Sequence, residues 1–390
     1  MTRRPRTHAH WGMFALVCLA YLGVTVGEQA LSPVLPGVRV DIAMSESQAG
    51  TAFGLLALSI AATNLIGGAV VGRWGARTMM LAGLVGTVAG SVAAATAHGF
   101  GGILISQLLL GAGAGLYFPA GLQAVGQLAG PARRGFAMGI YGVAFSAGLT
   151  VAAVLGAFGG THGWRIAFWC SAGLGVAAFA ATLMLRLGPP TGAAFSMRFP
   201  RRAVIGVPTF VGAVGAVCQY GAIPFLTTFA VSEWGLRAGQ AAAVLAVGRV
   251  ISILAKLISG AGTDRVGPIV SARRTAVVLV ATGIAWVLLP AGWPTYACAA
   301  VFAGTVSSLF PVANMVAIDH FGNHGPSLGA YRSAQIGIGA LAGWLIGLLA
   351  GSVGLRPVLL AAVVSPVLLL VFLRPASPAP SAVAVPASTR

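Results

Sequence analysis

Apolar runs long enough to cross a bilayer recur twelve times in this chain, and that repetition constrains the fold more than any single motif. Spanning the hydrocarbon takes about 20 apolar residues in a helix. The runs cover residues 12–36, 47–71, 78–97, 101–128, 135–159 and 165–187, then 203–231, 238–262, 272–291, 295–318, 327–350 and 355–373. Every backbone N–H and C=O in lipid must be bonded within the protein, so such runs fold as helices. No stretch between them is long enough for a soluble domain. Only 7% of the residues are charged, too few to cover a water-facing surface, since soluble domains carry about 25%. The expectation is an all-α membrane protein with twelve transmembrane helices.

The formal net charge of +17 would suggest nucleic acid if it lay on one soluble face. Here the arginines fall between apolar runs, so no nucleic-acid partner is expected. One set of helix ends holds Arg3, Arg4, Arg6, Arg73, Arg77, Arg133, Arg134, Arg186, Arg198, Arg201, Arg202, Arg265, Arg273, Arg274, Arg374 and Arg390. The opposite ends hold only Arg39, Arg165, Arg237 and Arg356. By the positive-inside rule the first set faces the cytoplasm, and so do both termini. The first run follows three arginines but is too long for a signal peptide, and is read as a retained helix. The expected location is the cytoplasmic membrane.

The longest break, Leu187 to Arg202, contains Gly188, Pro189, Pro190, Gly192 and Pro200. It divides the chain into an N-terminal six-helix half (residues 1–187), a cytoplasmic linker (188–202) and a C-terminal half (203–374). Residues 375–390, rich in Pro, Ala and Ser, are expected to be a disordered tail. The two halves share a repeat. Gly68-Ala-Val-Val-Gly72-Arg73-Trp-Gly75 lies after the second run, and Gly260-Ala-Gly-Thr-Asp264-Arg265-Val-Gly267 after the eighth. Both are read as short polar turns where a long apolar helix breaks. A duplicated six-helix unit suits a transporter whose halves rock about a midplane site.

These turns resemble the signature G-x-x-x-D-R-x-G-R-R of the major facilitator superfamily. The second copy keeps Gly260, Asp264, Arg265 and Gly267; the first keeps Gly68, Arg73, Gly75 and Arg77 but has Gly72 at the aspartate position. Gly163-Trp164-Arg165-Ile166-Ala167-Phe168 is similar to the family's W-R-x-x-F element at the start of helix six. The resemblance covers residues 12 to 373. It implies the family's fold of two pseudo-symmetric six-helix halves and a cytoplasmic latch at the two turns, which Gly72 weakens on the N-terminal side. Two departures count against a standard drug antiporter of that family. Gln107 stands where helix four of the family carries an arginine, and the fifth run lacks the glycine-proline motif.

Charged residues inside spans mark cavities, because a charge mid-bilayer costs roughly 2.5–3.5 kcal/mol on insertion scales. Glu28 is the one carboxylate well inside a run. Burial disfavours a carboxylate's charged form, which makes Glu28 the candidate for taking up and releasing protons; the plainer reading is structural pairing with an arginine. Arg249 and Lys256, two turns apart on one helix face with Ser252, would bind an anion or balance Glu28, with snorkelling to the membrane surface as the alternative for Lys256. Arg332 opens the eleventh run with Tyr331 and Gln335, and is equally suited to a headgroup, a loop or the site. Asn64 precedes Gly72 by the same eight residues that separate Lys256 from Asp264. The resemblance implies that helices one, four, seven and ten line the cavity, which adds Gln29, Ser32, Gln107, Tyr117, Gln123, Gln219, Tyr220, Ser307, Ser308 and Asn314. Any one of these also fits a helix–helix hydrogen bond.

Cys18, Cys170, Cys218 and Cys298 are widely spaced within apolar runs, so neither a disulfide framework nor a metal site is expected. Gly111-Ala-Gly113-Ala-Gly115 is better explained by close helix packing than by a nucleotide loop, and no G-x-x-x-x-G-K-[ST] occurs. No cofactor is expected. The sequence predicts a monomeric secondary transporter, not an enzyme, that moves a small organic anion by alternating access driven by protons. The alternative is a proton-driven drug or metabolite efflux antiporter, with Glu28 as counter-charge.

Overall fold

A computed structural model describes residues 11–129, 134–190, 201, 204–321 and 325–373. Within these, twelve helices are long and apolar enough to cross a membrane. The N-terminal half comprises α1 (Trp11–Asp41), α2 (Glu46–Trp74), α3 (Ala76–Ala95), α4 (Phe100–Ala129), α5 (Arg134–His162) and α6 (Arg165–Leu183). The C-terminal half comprises α7 (Val207–Trp234), α8 (Ala238–Val266), α9 (Pro268–Leu288), α10 (Trp293–Ala317), α11 (Gly325–Val353) and α12 (Leu355–Phe372). Each matches one of the twelve predicted runs. The predicted tail and most of the linker lie outside the described residues.

The signature turns are shorter than expected. α2 stays helical through Trp74 and α8 through Val266, so Gly68–Arg73 and Gly260–Arg265 are helix, and each chain reversal falls on a single glycine. Gly75 has φ 83°, ψ 149° and Gly267 has φ 82°, ψ 159°. This backbone region is essentially closed to residues with a Cβ. Each glycine N–H caps its helix by donating to the carbonyl four residues earlier, Gly75 to Val71 at 2.9 Å and Gly267 to Thr263 at 2.9 Å. The Asp264 side chain is outside the described residues.

The halves meet along α1/α7, α2/α11 and α5/α8. At the ends remote from the arginine-rich turns the crossings are backbone to backbone. A Cβ on Gly50 (α2) would fall 2.6 Å from the Gly347 Cα (α11), so neither helix could approach this closely with a larger residue. The W-R element is explained at that same end. Arg165 donates to Asp41 Oδ2 at 2.6 Å and to the Ala97 carbonyl at 2.9 Å, while Trp164 Nε1 donates to Asp41 Oδ2 at 3.2 Å. These contacts tie α6 to the end of α1.

Candidate functional site: a relay between the two halves

Two broken helices position the site. α1 runs as helix over Trp11–Gln29 and again over Leu31–Asp41. Pro33 has no N–H to offer the Gln29 carbonyl four residues earlier, and the interruption falls there, just after Glu28. α7 widens into a π-helical turn at Val217–Ala222 and tightens at Ile223–Phe225, beside Pro224. Gln219 and Tyr220 occupy the widened turn, a geometry frequent at functional sites. The breaks face one another across the halves: Thr227 Oγ1 donates to the Ser32 carbonyl at 2.7 Å. Between them lies a cavity of about 10 Å³ lined by Glu28, Gln29, Ser32, Phe53, Leu56, Gln219, Tyr220 and Pro224. That is room for about one water, so the halves are drawn together around this point.

Glu28 and Arg249 are both buried, each with 2% of its surface exposed. They do not touch directly. The described ion pairs are Arg39–Glu46, Arg165–Asp41 and Arg356–Glu233, all at helix ends. Instead Gln29 stands between the two buried charges. Its Nε2 donates to Glu28 Oε1 at 3.0 Å, and its Oε1 accepts from an Arg249 guanidinium nitrogen at 3.4 Å. Glu28 Oε2 and the other terminal nitrogen of Arg249 are buried with no hydrogen-bond partner. A buried polar atom left unbonded costs about 1–3 kcal/mol, more if charged, so both atoms retain strong hydrogen-bonding capacity.

Two further cations complete the field. Lys256 turns inward rather than snorkelling: its Nζ donates to Ser146 Oγ of α5 at 2.7 Å and sits 4.8 Å from the Phe145 ring centroid. Arg332 does not line the cavity, but its charge reaches groups that do. It lies within electrostatic range of Glu28, Tyr21, Tyr220 and Lys256. Two arginines thus act on the Glu28 carboxylate, and Lys256 lies within range of both arginines.

The other candidates divide. Gln219 lines the cavity with an unbonded Oε1, and Tyr220 lines it beside Phe53. Gln107 is fully buried with neither amide atom bonded, and Asn64 Nδ2 and Gln123 Oε1 are also unbonded. Tyr117 is a packing residue: its hydroxyl donates to the Val17 carbonyl at 2.9 Å. Asn314 accepts from the Tyr331 hydroxyl at 3.1 Å, joining α10 to α11. Ser307 and Ser308 bond back to the carbonyls of Gly304 and Thr305 on their own helix. Among the described residues, no group of His, Cys, Asp or Glu side chains is arranged to hold a metal ion.

Sequence reasoning underrated three features. Gln29 was one polar residue among many, although its adjacency to the one mid-span carboxylate was a visible signal. Ser146, the partner of Lys256, gave no signal. The stack of Tyr21 on Tyr141 (centroids 4.1 Å apart), with Phe145 5.5 Å from Tyr21, joins α1 to α5 and is apparent only in three dimensions.

The sequence model of the Major Facilitator Superfamily matches residues 17–332, and the chain belongs to that family. It is accordingly a multi-pass membrane transporter of small-molecule solutes, not an enzyme. It is 24% identical over 295 residues to the 3-(3-hydroxy-phenyl)propionate transporter of Escherichia coli K12, covering 72% of this chain and 71% of that one. It is also 33% identical over 124 residues to the multidrug resistance protein MdtH of Klebsiella pneumoniae, covering 32% and 30% of the two chains. Among solved structures, a D-xylose–proton symporter superposes with a TM-score of 0.75 at 15% identity, covering 94% of this chain and 99% of the other.

Proposed function

We propose that this transporter moves a small organic carboxylate, together with protons, through the cavity between α1 and α7. The observation that carries this reading is the charge balance of the site. Arg249 and Arg332 act on a single carboxylate, Lys256 adds a third positive charge near both arginines, and Arg249 keeps a buried donor with no partner. A buried cation without a counter-ion is costly, and an anionic substrate supplies what is missing. The walls suit an aromatic ring, since Tyr220 and Phe53 line the cavity. The match to a hydroxyphenylpropionate transporter favours the same substrate class. Glu28, with its unbonded Oε2, is the proton carrier. Asp264 and Arg265 with Gly72 and Arg73 form the cytoplasmic latch, and the arginine bias places both termini in the cytoplasm.

The second reading, drug efflux with Glu28 holding a cation, draws on the MdtH match and on the absence of a direct Glu28–arginine pair. Purified protein in vesicles separates the two. Aromatic carboxylates should raise its melting temperature and drive proton flux, while lipophilic cations should do neither. Stabilisation by lipophilic cations alone would reverse the assignment.

A further inference from the structure

We propose that Gln29 is the positioning residue that couples protonation of Glu28 to anion binding at Arg249, by keeping the two charges one amide apart. This rests on the carboxylate–proton reading above. The relay is directional: an ionised carboxylate can only accept and a guanidinium can only donate. Gln29 therefore turns its NH₂ to Glu28 and its oxygen to Arg249, as the bonds at 3.0 and 3.4 Å show. A direct Glu28–Arg249 pair would be the stronger contact, because charge-assisted bonds are about twice as strong as neutral ones. It would also occupy both the proton acceptor and the anion donor. The spacer leaves Glu28 Oε2 open for a proton and one Arg249 nitrogen open for an anion, both at 2% residue exposure.

The coupling follows from the same bonds. While Glu28 is ionised it holds the Gln29 amide in the orientation that offers Arg249 an acceptor, which competes with an incoming anion. A proton arriving at Oε2 removes that negative charge, loosens the hold and leaves the guanidinium to the substrate. Proton and anion then bind with positive linkage, each raising the other's affinity. The other ionisable groups facing Glu28 are Tyr21 on its own helix, Tyr220 on α7, Arg249 on α8 and Arg332 on α11. The two arginines stay charged across the working range and the phenols are neutral in it, so Glu28 is the group in this set that titrates.

The test is equilibrium binding of benzoate, 3-phenylpropionate, succinate and lactate to the full-length protein in detergent, from pH 5.5 to 8.5. The proteins are wild type, Gln29→Ala, Glu28→Gln and the double variant. Wild type should bind its best carboxylate more tightly as pH falls. Gln29→Ala should let Glu28 close on Arg249, weakening binding at pH 8 by at least about tenfold, a change of roughly 1.4 kcal/mol. The double variant has no carboxylate to close on Arg249, so it should recover affinity and show no pH dependence. Wild-type affinity in Gln29→Ala, or a loss that the double variant fails to recover, would overturn the spacer role while leaving the carboxylate reading intact. Failure of wild type to bind any of the four would overturn the carboxylate reading itself.

Discussion

α2 and α8 begin 192 residues apart (238 − 46) and end 192 residues apart (266 − 74), and both close on a glycine in the same positive-φ conformation. At two inward positions they part company. α2 has Ala57 and Asn64 where α8, 192 residues on, has Arg249 and Lys256. The scaffold is thus carried by what repeats, and the chemistry by what does not. Both α8 cations reach across to the N-terminal half, Arg249 to Gln29 and Lys256 to Ser146, at 3.4 and 2.7 Å. The carboxylate that Arg249 reaches through Gln29, Glu28, lies on α1. A site divided in this way is sensitive to how the halves sit, which is what a rocking carrier requires.

The largest effect should come from removing the charge that faces Arg249. Glu28→Gln is expected to abolish proton-linked uphill transport while leaving solute exchange measurable. Unchanged pH dependence of uphill transport in reconstituted vesicles would remove Glu28 from the mechanism.

The next variants probe what the helices share. Gly75→Ala and Gly267→Ala each force a side chain into glycine-only backbone, at about 1–3 kcal/mol apiece. The two should lower the melting temperature by similar amounts, and a loss confined to one would break the structural equivalence of the halves. A subtler asymmetry lies one helical turn earlier. Asp264→Asn should slow transport more than Gly72→Asp, because only the C-terminal copy carries the acid. Equal rates would remove the latch. The smallest effect is expected at Asn64. A single polar contact between membrane helices averages about 0.6 kcal/mol, so Asn64→Leu should shift carboxylate affinity by no more than about threefold. Lys256→Met, which breaks a cross-half contact, should exceed it.

The scaffold was legible because its causes are local. Apolar run lengths, arginine placement and the GAVVGRWG/GAGTDRVG repeat each follow from the bilayer or the backbone. The charged members of the candidate site were legible for a related reason, since Glu28, Arg249 and Lys256 are charges in apolar runs and that alone marks them. Their wiring was not. Whether Glu28 meets an arginine directly depends on how α1 breaks and how α8 is rotated, and no spacing in the chain encodes that. The depth of Arg332 was hidden for the same reason, while Tyr117 looked like a site residue until its hydroxyl was seen bonded to the Val17 carbonyl. The signature turns read longer in the sequence because Gly68 and Gly260 look like helix breakers, whereas each helix continues to the positive-φ glycine that reverses the chain, Gly75 or Gly267.

The central claim is that Arg249, the cation that α2 lacks, is the counter-charge for the substrate. Competition binding of 3-phenylpropionate and its neutral amide, 3-phenylpropanamide, to wild type and Arg249→Gln tests it most directly. Truncating one partner of a buried charged pair typically costs about 2–5 kcal/mol. The account therefore predicts at least about a tenfold loss for the carboxylate and little change for the amide. Equal loss for both ligands would contradict it.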